Sequence, residues 1–326
     1  MTLKNRFFFF LLATCLISMK CAAQALPGGR YSAKDKLKLE KQQDSLKLFA
    51  FNIVNGEEPG QRFRADSVFI RMLVRSLKIP NSFYFPFDSL QTISKLYAPD
   101  SSFRIFTWQI KKDVYVFLQR GAIQMRTADG SLKLIPLHDF SMFTKRPYDS
   151  VRNANNWIGA IYYRIIQKNY NGKNIYTLLG FDDFTINSNK KWMEVLTFDE
   201  QGQPVFGGPY FSFKNDSAKI SNKPVDRFYI EYKKEASTTF NYDSSLNMIV
   251  YDHLISETEE PKRQETFVPD GDYEGFTWLN GQWLHVPKVF GNTMKLDGQF
   301  PQEQKILNDA GGVDESLLKQ PTEKKK

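Results

Sequence analysis

From Ala33 to Val54 the apolar residues Leu39, Leu46, Phe49, Ala50 and Ile53 recur at helical spacing, and the opposite face is charged. Asn55-Gly56 ends this helix, and Glu57-Glu58-Pro59-Gly60 reads as a turn. A second helix is predicted from Ala65 to Leu77, with Val68, Phe69, Met72 and Leu73 as its apolar face. The basic residues Lys34, Lys36, Lys38, Lys41, Lys47, Arg71 and Arg75 form solvated faces on the two helices.

From Phe103 onward the period changes to that of strands. Phe103–Ile110 and Val114–Gln119 flank Lys111-Lys112-Asp113, and Ile123–Thr127 and Leu132–Leu137 flank Asp129-Gly130, a two-residue turn signal. With Ala128 paired to Ser131, Thr127 faces Leu132, Met125 faces Leu134 and Ile123 faces Pro136. Residues 138–156 read as an irregular connection. Ile158–Asn169 and Asn174–Phe181 meet at Asn171-Gly172, with Tyr163 and Ile165 on one face and Tyr162 and Ile166 on the other. A strand that is apolar on both faces belongs in the middle of a fold, covered on both sides. Trp192–Phe198 and Gln203–Phe206 follow, joined through Glu200-Gln201-Gly202, and Tyr210–Phe213, Arg227–Lys233, Ser237–Tyr242 and Met248–Leu254 continue the meander. Phe276–Trp278 and Trp283–Val286 form a last hairpin around Asn280-Gly281, which sets Trp278 opposite Trp283. The expected fold is mainly β (α+β): a helical pair, then a large antiparallel β meander closed as a sandwich or barrel.

The ends of the chain add compartment. Lys4 and Arg6 precede the 13-residue apolar run Phe7–Met19, and small residues follow, the pattern of an export signal cut after Ala23 or Ala25. The run is shorter than the roughly 20 residues a membrane-spanning helix needs. Removing residues 1–23 takes away Lys4, Arg6 and Lys20, lowering the net charge of +8 by three, and takes away both cysteines, Cys15 and Cys21. Disulfides, thiol nucleophiles and cysteine-ligated metal are then excluded from the mature chain. Leu12-Ala13-Thr14-Cys15 leaves a lipid-anchored alternative, although Thr14 is a poor fit before the cysteine. The organisation expected is a signal over 1–23, leader and helical pair over 24–80, β domain over 81–290 and a polar tail over 291–326, with a short helix near Glu315–Lys319. The mild, unclustered basicity argues against nucleic acid as a partner.

Trp157-Ile158-Gly159-Ala160-Ile161-Tyr162-Tyr163-Arg164-Ile165-Ile166, then Tyr176–Asp182, Glu194–Phe198, Val205-Phe206-Gly207, Glu231-Tyr232 and Met248–Leu254 occur in order, with Phe87–Leu90 and Phe103–Trp108 upstream. Over roughly residues 84–288 this set resembles a family of uncharacterised exported proteins of Gram-negative bacteria. The resemblance implies export and one shared fold; it implies no activity and no functional residue.

The residues that could carry chemistry form candidates rather than a motif. His138, His253 and His285 fall in no metal-ligand spacing, and no metal or cofactor is implied. Asp252-His253 ends a strand, but adjacent strand residues point to opposite faces, so Asp252 cannot orient its own neighbour. Asp182 and Asp183 follow a strand, and Glu194 and Asp199 come from the next strand and its turn. Two such carboxylates in one cleft could hydrolyse a glycosidic bond. Asp270-Gly271-Asp272-Tyr273-Glu274-Gly275 starts like a calcium loop but has Gly281 where the bidentate glutamate belongs, so it reads as a turn. Gly207-Gly208-Pro209 and Gly311-Gly312 lack the strand–loop–helix setting of a phosphate loop.

With 15% aromatics and no catalytic kit, the chain reads as a non-catalytic envelope module, periplasmic or secreted, that binds a partner protein, a glycan or an apolar ligand. Trp108, Trp157, Trp192, Trp278 and Trp283 are its candidate ligand contacts. The alternatives are a hydrolase of envelope glycans using Asp182, Asp183, Glu194, Asp252 and His253, and a structural subunit of an envelope complex. Mass spectrometry of the mature protein is expected to find Gln24 or Leu26 at the N-terminus; a diacylglyceryl group on Cys15 or Cys21 would contradict cleavage as read here.

Overall fold

A computed structural model describes residues 31–113, 116–214 and 223–290. The export signal with Cys15 and Cys21, the Val114 start of a predicted strand, and the tail with Gly311-Gly312 and the 315–319 helix lie outside the described residues.

Helix α1 spans Ala33–Asn55, and Ser32 caps it by accepting the Asp35 N–H. Helix α2 spans Pro59–Leu77 and starts earlier than its apolar period suggests. Pro59, read from sequence as part of a turn, occupies the first helical turn, where its missing N–H costs nothing. The buried Arg62 guanidinium donates to the carbonyls of Gly56, Glu57 and Lys111, which ties the helical hairpin to the first sheet.

That sheet is an antiparallel meander in the order β1 (Ser94–Tyr97), β2 (Phe103–Lys111), β3 (Phe117–Met125) and β4 (Lys133–Leu137). A second, six-stranded sheet runs β5 (Arg152–Asn153), β9 (Pro204–Phe206), β8 (Ser188–Phe198), β7 (Lys173–Asp182) and β6 (Ile161–Tyr170), with β11 (Arg227–Lys233) on the β8 edge that β9 also uses. A third sheet runs β10 (Phe211–Ser212), β15 (Gln282–Val286), β14 (Phe267–Leu279), β13 (Met248–Ser256) and β12 (Phe240–Asp243).

Alternation along the strands stacks these pieces into four layers. Phe106, Trp108 and Ile110 face the helices with Leu39, Phe69 and Leu73, while Phe103 and Ile105 face the second sheet with Tyr176 and Leu178. On the second sheet's far side, Ile175, Leu179, Met193 and Val195 meet Phe211, Tyr251, Phe276 and Trp283 of the third. Both inner sheets are covered on both faces, which is where the aromatic content goes; each large apolar side chain buried there stabilises the fold by about 1.5–3 kcal/mol. The sheets stack open rather than closing into a barrel.

Several local readings change. The Asp129-Gly130 hairpin pairs Met125 with Lys133 and Ile123 with Ile135, one residue away from the expected register. Its loop is wider than two residues: Asp129 accepts the Ser131 N–H, and the Gly130 carbonyl accepts the Asn81 N–H. Strand β3 runs unbroken through Gly121, where a Cβ would stand 3.2 Å from the Trp157 ring and 3.0 Å from Leu137. A bulge at Tyr163 places Tyr162 with Ile165 against the first sheet and Tyr163 with Ile166 against the third. β10 and β11 leave the meander: β10 pairs parallel to β15, and β11 pairs with β8. The Asn171-Gly172 and Asn280-Gly281 turns have the positive φ angles of tight hairpins, and Trp278 faces Trp283 with ring centroids 5.2 Å apart.

A buried ion pair lies within the second sheet, on the face toward the first. Glu194 on β8 meets Arg227 on β11, with Nε 2.6 Å from Oε2, and both are almost wholly buried. The other Glu194 oxygen accepts the Tyr162 hydroxyl, which accepts the Trp157 indole N–H at 2.7 Å. Arg227 also donates to the carbonyls of Pro147 at 2.9 Å, Ser150 at 2.5 Å and Phe206 at 2.9 Å, so it pins the 139–150 segment to the sheet. Arg227→Met is expected to lower stability in urea unfolding by about 3–5 kcal/mol, because it leaves Glu194 charged and buried; a loss below about 1 kcal/mol would contradict that reading.

Candidate functional site

Cross-strand register builds the site. On the face of the second sheet that looks toward the first, three rows cross β7, β8 and β11: Asp182–Lys190–Glu231, Gly180–Trp192–Tyr229 and Leu178–Glu194–Arg227. The last row is the closed ion pair. Asp182, Lys190, Trp192 and Tyr229 of the first two border a cavity of about 320 Å3, walled opposite by Val116, Phe117 and the segment from Ser141 to Pro147 that Arg227 anchors. Its size lies within the range of about 300–1,000 Å3 usual for small-molecule sites.

Lys190 sits between two carboxylates. Its ammonium is 3.4 Å from Glu231, which also accepts the Ser188 hydroxyl at 2.7 Å. Aromatic rings surround it: Phe184 at 3.2 Å, Tyr229 at 4.8 Å and Trp192 at 5.8 Å from the ring centres. Burial lowers the Lys190 pKa, and Glu231 and Asp182 oppose the shift. Burial also pushes the Asp182 carboxyl up to about 7; Lys190, the Gln119 amide and the Trp192 indole pull the other way, while Asp139 adds to the rise.

The polar groups around this cavity are unevenly matched. Gln119 Nε2 donates to Asp182 at 2.8 Å, but Gln119 Oε1 is buried with no hydrogen bond. Of the four deeply buried tryptophans, Trp108 donates to Asp66, Trp157 to Tyr162 and Trp283 to Thr177. Trp192 Nε1 alone has no partner; it faces the Asp182 carboxylate without meeting it in hydrogen-bond geometry. The Asp182 carboxylate compensates this donor only in part, and a ligand acceptor in hydrogen-bond geometry would complete it. Asp139 is fully engaged, accepting backbone N–H groups of Gln119, Ser141 and Gly159. Met142 on the covering segment and Phe184 on the β7–β8 loop are exposed apolar residues on the cavity wall.

The carboxylates proposed for hydrolysis do not share one cleft. Asp182 lines the cavity. Asp183 pairs with Lys234, and Glu194 is closed off by Arg227 and Tyr162. Asp252 accepts the Thr239 N–H and with His253 borders a separate cavity of about 260 Å3; His253 Nδ1 meets Asp270 at 2.7 Å. The Asp270–Asp272 stretch, read from sequence as a turn, is instead part of strand β14, where it bulges opposite the register shift at His253. Among the described residues no group of His, Cys, Asp and Glu is arranged to hold a metal. Of the five tryptophans, Trp192 and Trp108 border cavities, Trp157 and Trp283 are sealed in the core, and Trp278 is half-buried. Sequence reasoning missed Lys190, Tyr229 and Glu231. Lys190 occupies the inward phase of β8 with Trp192 and Glu194, a lysine at a core position, but it went unseen because the strand was started at Trp192 rather than Ser188.

Compared with family models, curated proteins and solved structures, the chain finds no match. No helix among the described residues is long and apolar enough to cross a membrane.

The Asp182 shift has a sign that can be measured. Between its ordinary value of 3.8 and about 7 the folded state holds a proton that the unfolded state releases, so stability falls as pH rises through that window and levels off above it. Asp182→Asn lacks this slope, so its melting temperature relative to the native chain is expected to climb between pH 4.5 and pH 8. A pH-independent difference would contradict the buried, proton-holding carboxyl.

Proposed function

We propose that this chain is an exported, non-catalytic binding protein of the bacterial envelope, and that it holds a hydroxyl-rich ligand, a sugar unit of a glycan, in the cavity of Asp182, Lys190 and Trp192. Export and kinship with the exported family rest on the resemblance in sequence. Binding rests on one observation above all: Trp192 alone among the deeply buried tryptophans keeps an unmatched indole N–H, and it does so on a cavity wall.

The lining suits a sugar. The Trp192 and Tyr229 rings, 4.8 Å apart, offer apolar surface to C–H groups. Trp192 Nε1 and Lys190 donate, and Asp182 accepts or donates according to pH. Hydrolysis would need a second available carboxylate, and the neighbours of Asp182 are committed: Asp183 to Lys234, Glu231 to Lys190 and Ser188, Asp139 to three backbone amides. That commitment favours binding over the carboxylate hydrolase.

Calorimetric titration with a panel of peptidoglycan fragments and lipopolysaccharide core oligosaccharides tests the reading. At least one is expected to bind, and Trp192→Phe, which keeps a ring but deletes the donor, is expected to weaken it by roughly three- to tenfold. A panel without a binder, or a binder indifferent to Trp192→Phe, would sink the proposal.

A further inference from the structure

Strand β3 carries a second opportunity on its other face. Gln119 points toward the sugar cavity, and its neighbour Arg120 points the opposite way, toward the helices. There a cavity of about 400 Å3 lies between α2 and the four-stranded sheet. Its walls are apolar: Ile70 and Val74 from α2, Trp108 and Ala122 from the sheet interior, Leu134 and Pro136 from β4. Ile70 is partly exposed at its rim.

The polar end of the cavity is organised around one buried carboxylate. Asp66 on α2 accepts the Trp108 indole N–H at 2.8 Å on one oxygen and Arg120 Nε at 3.1 Å on the other. Both Asp66 oxygens are thereby directed, and Arg120 is held in one orientation. A guanidinium has five N–H donors in a fixed fork. Nε is engaged by Asp66, and Nη1 reaches only the Gln119 carbonyl, at 3.5 Å. The outer edge of the fork therefore has donors to offer a second acceptor, and the Arg120 side chain remains 31% exposed. The other ionisable groups on the wall are His138 and Asp139. Asp139 turns its carboxylate to the amides of Gln119, Ser141 and Gly159, so it does not compete for Arg120. A planar carboxylate matches the guanidinium fork in a way that a neutral hydroxyl does not.

We propose that this cavity binds a medium-chain carboxylate, with its alkyl chain between α2 and β4 and its headgroup on the outer edge of Arg120. The site is independent of the sugar cavity and goes beyond that reading. An apolar slot that ends in a fixed, partly accessible arginine selects amphipathic anions over neutral chains of the same length.

Fluorescence displacement tests it with the intact protein and dansylated undecanoic acid as the probe. Dodecanoate is expected to displace the probe, and dodecanol is expected to need about tenfold or more higher concentration, because it forgoes the charge-assisted bonds. Val74→Trp, which fills the slot from a half-buried position, is expected to abolish probe binding and leave oligosaccharide binding in the other cavity unchanged. Arg120→Gln is expected to erase the preference for dodecanoate over dodecanol. Should Arg120→Gln fail to fold because Asp66 loses its partner, the Val74→Trp result and the dodecanoate-to-dodecanol ratio decide alone. Absence of probe binding, equal displacement by the two chains, or a Val74→Trp protein that binds the probe normally would each overturn the proposal. Loss of sugar binding with retained dodecanoate binding would strike only the function proposed for the other cavity.

Discussion

The Glu194–Arg227 ion pair joins elements that sequence places far apart. It closes β11 onto β8, receives the Tyr162 hydroxyl from β6 and, through Tyr162, the Trp157 indole. Arg227 extends the same network to the carbonyls of Pro147, Ser150 and Phe206. A charge pair taken out of water adds stability only when its remaining hydrogen-bonding capacity is met, and here backbone carbonyls meet it. The segment that walls the Trp192 cavity is held in place by that requirement. The site therefore inherits its geometry from the part of the core least able to tolerate change.

The constraint behind this is the four-layer stack. Two inner sheets with apolar contacts on both faces leave no solvent for a polar side chain to reach, so each must find a partner inside. Arg104 shows the rule in full: its buried guanidinium, its pKa lowered to about 10 by desolvation, donates to Gln124, Tyr97 and the carbonyls of Ser82 and Phe85, and stands 4.7 Å from the Phe106 ring centre. Trp108, Trp157 and Trp283 obey it as well. Trp192 Nε1 and Gln119 Oε1 do not, and both belong to the neighbourhood of Asp182 and Lys190. Asn189 Oδ1 is unmatched as well, so what marks this cavity is that two unmatched groups meet there beside the buried Asp182 carboxyl.

Local chemistry made part of this legible in the sequence. The α1 period, the Asn171-Gly172 and Asn280-Gly281 hairpins and the Trp278–Trp283 pair could be read because each depends on residues close together in the chain. The Asp129-Gly130 register slipped by one because a tertiary hydrogen bond from Asn81 reshapes that loop. The two-sided character of β6 was legible, but the bulge at Tyr163, which decides which tyrosine faces which core, was not. The pairing of β11 with β8 is a long-range choice, and with it went the rows that create the site. Asp182 and Trp192 were visible as residue types. Their convergence with Lys190, Glu231 and Tyr229 needed three strands in register. His253 drew notice for Asp252, yet its partner is Asp270 across the bulge of β14.

The central proposal is that the unmatched Trp192 indole N–H marks a ligand site. Nuclear magnetic resonance of protein carrying nitrogen-15 in its tryptophan indoles tests it most directly. On addition of the ligand, the Trp192 indole N–H is expected to shift downfield and gain protection from exchange, while those of Trp108, Trp157 and Trp283 stay where they are. A Trp192 signal that is already protected in the free protein and does not move when the ligand binds would contradict the account.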